Sequence, residues 1–338
     1  MNGDKTGRID GCTSHLSEGC ILCYEGAKMV LFVTGICARN CWYCPLSETR
    51  RGRRVVYAND RLVKSPDDII TEAEMMSALG TGVTGGEPFL VLEEVVSYCR
   101  LLKEHFGPEH HIHLYTGIAP TRAQLEPLCG LVDEVRLHPP QETWAGILTS
   151  PYAASVEVAR ELGFSIGIEV PSLPGIEALG AIIPALDFLN INELEWSETN
   201  AQAMRERHLD LEDGLHNAVG GAVAWAAPLL DDPKVHFCSS DFKDSVQLRE
   251  RLKRIAANTA RSFDEITEDG TIIYGVLELE DGDLPPALQE SIYEIERSGD
   301  LVEMAWWVLA EMRDRLSGRK YVVERYPNNG IILEVTPL

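Results

Sequence analysis

Between residues 28 and 230 the chain repeats one pattern, a short run with the two-residue alternation of a β-strand followed by a stretch with helical periodicity. The β-like runs are 29–34, 82–84, 111–116, 134–138, 165–170 and 193–197; the helical stretches are 67–79, 92–105, 121–131, 153–162, 177–189 and 211–230. Strands interleaved with helices in this way predict a parallel sheet joined by right-handed crossovers. Four of the strands are two-faced. Ile112 and Leu114 alternate with His111, His113 and Tyr115, and Val135 and Leu137 with Glu134, Arg136 and His138. Ile166, Ile168 and Val170 alternate with Ser165, Gly167 and Glu169, and Leu194 and Trp196 with Glu193, Glu195 and Ser197. The helices cover the apolar face, so the polar side chains must look elsewhere. A closed eight-stranded barrel packs its lumen with branched apolar residues. The expected fold is therefore α/β, an incomplete barrel with a polar, partly solvated lumen. Exposed strands of an antiparallel sheet are the alternative, and they conflict with the helices in between.

Composition limits the rest. Of 338 residues, 45% are apolar and 25% charged, enough for a full core in one large domain with an appendage or in two modest domains. With 30 basic against 53 acidic residues the formal charge is −23, which argues against a general polyanion binder. The longest clean apolar stretch, 219–230, contains Pro228 and is shorter than the ~20 residues a membrane span needs. The N-terminus, Met1-Asn2-Gly3-Asp4-Lys5, has no apolar signal core behind it, so a cytoplasmic protein with reduced thiols is expected. Asp231-Asp232-Pro233 marks a boundary, giving a Cys-rich leader (1–27), the barrel (28–230) and a C-terminal α+β extension (231–338). Within the extension, 322–335 reads as strands around the turn Pro327-Asn328-Asn329-Gly330.

Six of the nine cysteines fall in the first 44 residues: Cys12, Cys20, Cys23, Cys37, Cys41 and Cys44. Cys99 and Cys129 sit in helical patterns, where a thiol behaves as a small buried hydrophobe. Directly after the first strand comes Val33-Thr34-Gly35-Ile36-Cys37-Ala38-Arg39-Asn40-Cys41-Trp42-Tyr43-Cys44-Pro45, a Cys-x3-Cys-x2-Cys loop. Its three thiolates leave a fourth position unfilled. Zinc would need a distant His or Cys to close the site, whereas a [4Fe-4S] cluster would keep one iron open for a substrate or cofactor. The second strand ends in Thr84-Gly85-Gly86-Glu87-Pro88, and glycines without Cβ atoms let a backbone approach a ligand closely.

These two motifs, in this order and at the ends of the first two strands, resemble the signature of the radical S-adenosylmethionine (radical SAM) superfamily. The resemblance covers about residues 28–230 and implies a partial (β/α)6 barrel of the radical SAM type. It implies that Cys37, Cys41 and Cys44 ligate a [4Fe-4S] cluster and that S-adenosylmethionine (SAM) is chelated at the open iron. SAM would be cleaved reductively to a 5'-deoxyadenosyl radical that abstracts a substrate hydrogen. By the same resemblance Tyr43 flanks the adenine, and Gly85, Gly86 and Glu87 bind the methionyl end. Thr116 is a candidate for the ribose or an ordinary strand-ending threonine. An electron donor of the flavodoxin or ferredoxin type and a protein or small-molecule substrate are implied as partners. The Cys-x3-Cys-x2-Cys form and compact barrel resemble the pyruvate formate-lyase activating branch, especially uncharacterised archaeal proteins related to it. Two features depart from that branch: the glycine- and proline-containing leader of glycyl-radical activases is missing, and residues 231–338 have no activase counterpart. A modifier of RNA or another phosphate-bearing substrate is the runner-up, and an iron-sulfur or zinc binding module without turnover is the reading of another class.

The lumen offers His113, Arg136, His138, Glu169, Glu195 and Ser197, with Arg136 expected to pair with Glu169 or Glu195. His138 and Glu195 either contact substrate or SAM as catalytic residues, or belong to an internal salt-bridge network. Arg50, Arg51, Arg53 and Arg54 follow the cysteine loop and read either as an anion receiver or as a solvated basic loop. The segment 243–261 is basic and amphipathic, an RNA-contacting helix or a solvated one. Cys12, Cys20 and Cys23 precede the first strand and are expected to start from the face opposite the cysteine loop, as is Cys238. Together the four would make a second metal site, structural zinc or an auxiliary iron-sulfur cluster, with His236 as a substitute fourth ligand; scattered thiols are the alternative.

Overall fold

The structure is a computed structural model that describes residues 16–214, 217–280, 282–289 and 293–338. Two compact units divide it: one takes the described residues up to Glu74 and Ala78–Gln247, the other Met75–Ser77 and Leu248–Leu338.

The first unit opens with helix α1 (Glu18–Tyr24) and strand β1 (Lys28–Phe32), then a small hairpin, β2 (Tyr57–Ala58) and β3 (Arg61–Leu62). Six further strands follow: β4 (Gly80–Thr84), β5 (His111–Thr116), β6 (Glu134–Leu137), β7 (Ser165–Pro171), β8 (Phe188–Asn192) and β9 (Val235–Cys238). Their order is β3-β2-β1-β4-β5-β6-β7-β8-β9, with every pairing from β1 to β9 parallel. Side chains of β1 and β9 line one cavity, so the sheet curls, while its edges β3 and β9 share no ladder. Helices α2 (Pro66–Met75), α3 (Leu92–Phe106), α4 (Arg122–Leu125) and α5 (Pro151–Glu161) form the first four crossovers. The outward strand residues Met29, Leu31, Val83, Ile112, Leu114, Val135, Leu137 and Ile168 are fully buried. α3 adds Val95, Cys99 and Leu102 to the unit's buried core, and α5 adds Val156 and Ala159. Alternation along each strand turns the polar set inward, as the two-residue period requires.

The later part of the unit departs from the expected elements. The strand expected at 193–197 lies earlier, at β8, and β9 adds a seventh parallel strand where the C-terminal extension was expected to begin. The boundary accordingly falls after Gln247, not at 231. The stretch 177–189 holds two 3-10 turns, Ile176–Ala181 and Ile183–Ala185, and the start of β8, because Gly180 and Pro184 break an α-helix and leave room for an earlier strand. The stretch 211–230 carries one short helix, α7 (Ala222–Ala226), after α6 (Ala201–Glu206); Gly214, Gly220 and Gly221 interrupt the rest. Cys129 is exposed rather than packed, since Pro127 turns the end of α4 into a 3-10 turn. The unit closes with α8 (Ser240–Phe242).

The second unit is α+β. After α9 (Arg249–Thr259) come β10 (Glu265–Ile266), β11 (Ile272–Glu278), α10 (Pro286–Gln289), β12 (Ile295–Ser298), β13 (Leu301–Met304), α11 (Trp306–Met312), β14 (Arg319–Arg325) and β15 (Ile332–Pro337). The antiparallel order is β12-β13-β11-β14-β15, with β10 beside β11, and the turn at 327–330 joins β14 to β15 as expected. α11 lies so close over β11 that a Cβ on Gly275 would stand 3.0 Å from Leu309. Leu277, Val302, Met304, Val308 and Leu309 form its apolar core.

Candidate active site

The cysteine loop and the Gly-Gly-Glu-Pro turn leave β1 and β4 side by side and are laced together through their backbones. The Gly86 N–H donates to Thr34 O (2.6 Å) and the Glu87 N–H to Ile36 O (2.9 Å). A Cβ on Gly85 would meet Thr34 O at 2.6 Å, and one on Gly86 would meet Ile36 O at 2.4 Å. The glycines are thus required by the cysteine loop itself, a stronger constraint than the ligand approach read from the sequence. Cys37, Cys41 and Cys44 are free thiols, none fully buried, and all three line a cavity of about 930 Å³ together with Gly85 and Gly86.

Arg39, inside the loop, clamps it to the neighbouring strand ends by donating to Gly117 O (2.9 Å) and His138 O (2.6 Å). Tyr43 is buried, and its hydroxyl lies 2.9 Å from His138 Nε2. His138 Nδ1 lies 2.8 Å from the carbonyl of Glu169, which can only accept, so Nδ1 carries the proton and Nε2 accepts from Tyr43. Burial, helped by the Arg39 guanidinium, holds His138 down to about 4, which keeps the ring neutral. Both ring nitrogens are thereby engaged.

Glu87 stands behind the cavity wall. Its carboxylate accepts from the Phe89 N–H (3.1 Å), the Thr116 hydroxyl (2.7 Å) and the Gly117 N–H (2.7 Å), three of the roughly four lone-pair sites a carboxylate offers. Thr116 does reach the cavity wall.

Below the loop the inner face of the sheet carries polar side chains, as the alternation requires. Arg136 is fully enclosed and donates to Glu134 (2.5 Å), Glu169 (2.6 Å), Tyr115 (3.1 Å) and Ser17 (2.9 Å). Burial works against ionisation of Glu169, but Arg136, with Asn192, Lys28 and Asn190, outweighs it and brings the carboxyl down to about 2. The expected Arg136–Glu195 alternative is not taken: Glu195 pairs with Lys243 at 2.6 Å. Lys28, Asn190, Asn192 and Lys243 also face the cavity and went unrecognised in the sequence. Lys28 was legible, because it shares the parity of Val30 and Phe32; Asn190 and Asn192 were hidden by reading their surroundings as a helix end. α1 lies against the inner face, where a Cβ on Gly19 would stand 2.4 Å from His113.

Cys20, Cys23 and Cys238 line the same cavity as the cysteine loop, with His236. Cys12 lies outside the described residues. Cys238 ends a parallel strand, so it belongs to the C-terminal side of the sheet and not to the opposite face. Among the described residues no three His, Cys, Asp or Glu side chains are gathered around one ion-sized point. Of the arginines behind the loop, Arg50 packs over Tyr57, Arg54 pairs with Glu94, and Arg51 reaches the cavity while donating to Asn40 (2.7 Å). In the basic segment, Arg249 and Lys253 share Glu250, and Arg261 meets Asp264, Glu296 and Glu303. No helix among the described residues is long and apolar enough to cross a membrane.

The fold and loop define a class: residues 31–144 match the model of the radical SAM superfamily, and the chain belongs to that superfamily as a radical SAM enzyme. A protein of Methanocaldococcus jannaschii named "Putative glycyl-radical enzyme activating enzyme" is 33% identical over 96% of this chain and 93% of its own length. Residues 270–338 match a domain of unknown function, DUF8061. Among solved structures, Streptococcus suis SuiB bound to S-adenosylmethionine is similar at 12% identity and a TM-score of 0.40, covering 63% of this chain and 50% of that one. The radical S-adenosylmethionine methyltransferase TsrM of Kitasatospora setae, with cobalamin and a [4Fe-4S] cluster bound, gives 14% identity and 0.36, covering 57% and 38%. The chain spans less than two thirds of the length of these solved proteins, and membership rests on the sequence relatives.

Proposed function

We propose that the curled parallel sheet is a partial barrel of the radical SAM type whose lumen receives the substrate. The observation that carries this reading is the convergence of Cys37, Cys41, Cys44, Gly85 and Gly86 on one cavity, into which Arg136, His138, Glu169 and Glu195 also open. The donor set fits: three thiols on one loop would hold a [4Fe-4S] cluster with an iron left open. With SAM bound there, the cluster would supply the electron that cleaves SAM to methionine and a 5'-deoxyadenosyl radical, the chemistry needed for hydrogen abstraction from the substrate. The chain's own part is to place the ligands. Gly85 and Gly86 present backbone to the methionyl end of SAM, Thr116 the ribose contact, and Tyr43 the adenine contact. His138 acts as a positioning residue, since its ring holds the Tyr43 hydroxyl and is itself held by Glu169 O. Glu87 ties the ends of β4 and β5 together and so holds the Gly85-Gly86 turn in place for the methionyl end. Glu195, paired with Lys243 on the cavity wall, faces the substrate.

The relative's name points to a polypeptide substrate, a glycyl-radical enzyme, and we assign this chain the same activase-like chemistry in the cytoplasm, fed by a flavodoxin- or ferredoxin-like donor. Protein reconstituted anaerobically with iron and sulfide, then given SAM and a reductant, is expected to yield 5'-deoxyadenosine and methionine. An intact cluster that gives neither product would sink the reading. Deuterium transfer into 5'-deoxyadenosine from labelled protein fractions identifies the substrate; transfer only from small-molecule fractions would overturn the activase assignment.

A further inference from the structure

Cys20, Cys23 and Cys238 have no task in the mechanism above, and although Cys238 packs against Phe242, none of the three is a packing thiol alone. Cys99 shows what a packing thiol looks like here: it is fully buried on α3 beside Val95 and Leu102. The other three differ in three respects. They open on the cavity. Cys20 and Cys23 are three residues apart on α1, which sets them on neighbouring positions of one helical face, and Cys238 comes to the same cavity from the end of β9. Polar hydrogens point at two of the sulfurs: Cys20 Sγ accepts from Asn190 Nδ2 (3.2 Å) and Arg136 Nη2 (3.7 Å), and Cys238 Sγ from Gln247 Nε2 (3.9 Å).

Three cations also stand around the cavity. Lys28, Arg136 and Lys243 all line this cavity. Arg136 and Lys243 have carboxylate partners, whereas among the described residues no ion pair engages Lys28. Asn190 Oδ1 is buried in the same wall without a protein partner. Cations and N–H donors aimed at sulfur are what stabilise thiolate ligands and tune the centre they hold.

A single tetrahedral zinc, with sulfurs at ~2.3 Å, would draw its ligands to within about 4 Å of one another. No three donors among the described residues are drawn so tight, and this holds equally for Cys37, Cys41 and Cys44. We propose that Cys20, Cys23 and Cys238 ligate a second iron-sulfur cluster in the cavity, distinct from the one on the cysteine loop. Loading it releases the three thiol protons, and its remaining position is filled by a ligand outside this triad.

The test uses the full chain, purified anaerobically and reconstituted with iron and sulfide. Iron, sulfide and zinc are counted on the wild type, on a variant with Cys37, Cys41 and Cys44 changed to Ala, and on one with Cys20, Cys23 and Cys238 changed to Ala. Each triple variant is expected to keep about half of the wild-type iron with matching sulfide. A loop variant that keeps no iron overturns the proposal, and one that keeps zinc without sulfide overturns it in favour of a single ion. Should the second variant fail to fold, Mössbauer spectra of the wild type need no substitution. Two cluster components are expected, of which SAM perturbs one, and a single component overturns the second cluster. The outcome is independent of the activity assigned above: a chain with two clusters and no SAM cleavage would sink that reading and leave this one standing.

Discussion

The inner face of the parallel sheet and the packed face of the C-terminal sheet are both buried, but they are built from different material. The first buries His113, Glu134, Arg136 and Asn190; the second buries Leu277, Val302, Met304, Val308 and Leu309. An apolar face of the second kind stabilises by removal from water, at ~25 cal/mol per Å². A polar face of the first kind must have its hydrogen bonds met within the protein, and unmet ones cost 1–3 kcal/mol each in order of magnitude. Some are unmet here: both ring nitrogens of His113 are buried without a partner, and burial holds that ring well below its usual range and so neutral. A chain carries such a face where the face has work to do, and in this chain the same face holds the cysteine loop and the cavity.

The sharpest way to break the contrast is at Arg136. Changing Arg136 to Met should cost about 3–5 kcal/mol in urea melts, because Glu134 and Glu169 are left buried without their cation. Adding Glu169→Gln should restore part of the loss. If the double variant is no more stable than the single one, the guanidinium was only filling volume. In the C-terminal sheet, Leu309→Ala should cost about 2–5 kcal/mol by opening a cavity in an apolar core, with the iron content of the folded fraction unchanged. A drop in iron there would mean that the two regions are not functionally separable.

The next effect appears only with pH. His110 is buried against Thr81 Oγ1 (2.8 Å), and burial, aided by the Lys103 charge, depresses it to about 4. Its folded value lies below its unfolded value of 6.5, so the unfolded chain binds the extra proton. The contribution is therefore fully present above pH 6.5 and is lost as pH falls through about 4, up to ~3 kcal/mol in all. His110→Gln should remove that part of the acid sensitivity, read as the difference between melts at pH 7 and pH 5. The smallest stability effect is expected at Glu195→Gln, where the Lys243 partner is about a third exposed and the pair is worth no more than ~1 kcal/mol. That variant should still yield 5'-deoxyadenosine while losing transfer from substrate; unchanged transfer would return Glu195 to the structural network.

Much of this was legible because alternation is a local property. The inward parity of His113, Arg136 and Glu169 follows from one residue in two pointing each way, and the cysteine spacing needs no tertiary knowledge. What failed did so where glycine and proline decide. Pro184 and Gly180 shortened a helix and moved β8 upstream, which put Asn190 and Asn192 on the cavity wall and made β9 part of the sheet. The four arginines behind the loop read as one patch, yet Arg50 and Arg54 are held by Tyr57 and Glu94 and only Arg51 reaches the cavity.

The amino-acid sequence alone determined the superfamily, the cysteine loop with its glycine turn, and the polar inner face, since each depends on residue type and short spacing. Only the tertiary structure decided that the glycines of that turn are required by the backbone of Thr34 and Ile36, and that His138 serves Tyr43. It alone put Cys20, Cys23 and Cys238, expected together on the opposite face, on the cavity of the cysteine loop. Those facts depend on which strand ends lie side by side once the sheet has curled, and no local pattern encodes a neighbour a hundred residues away.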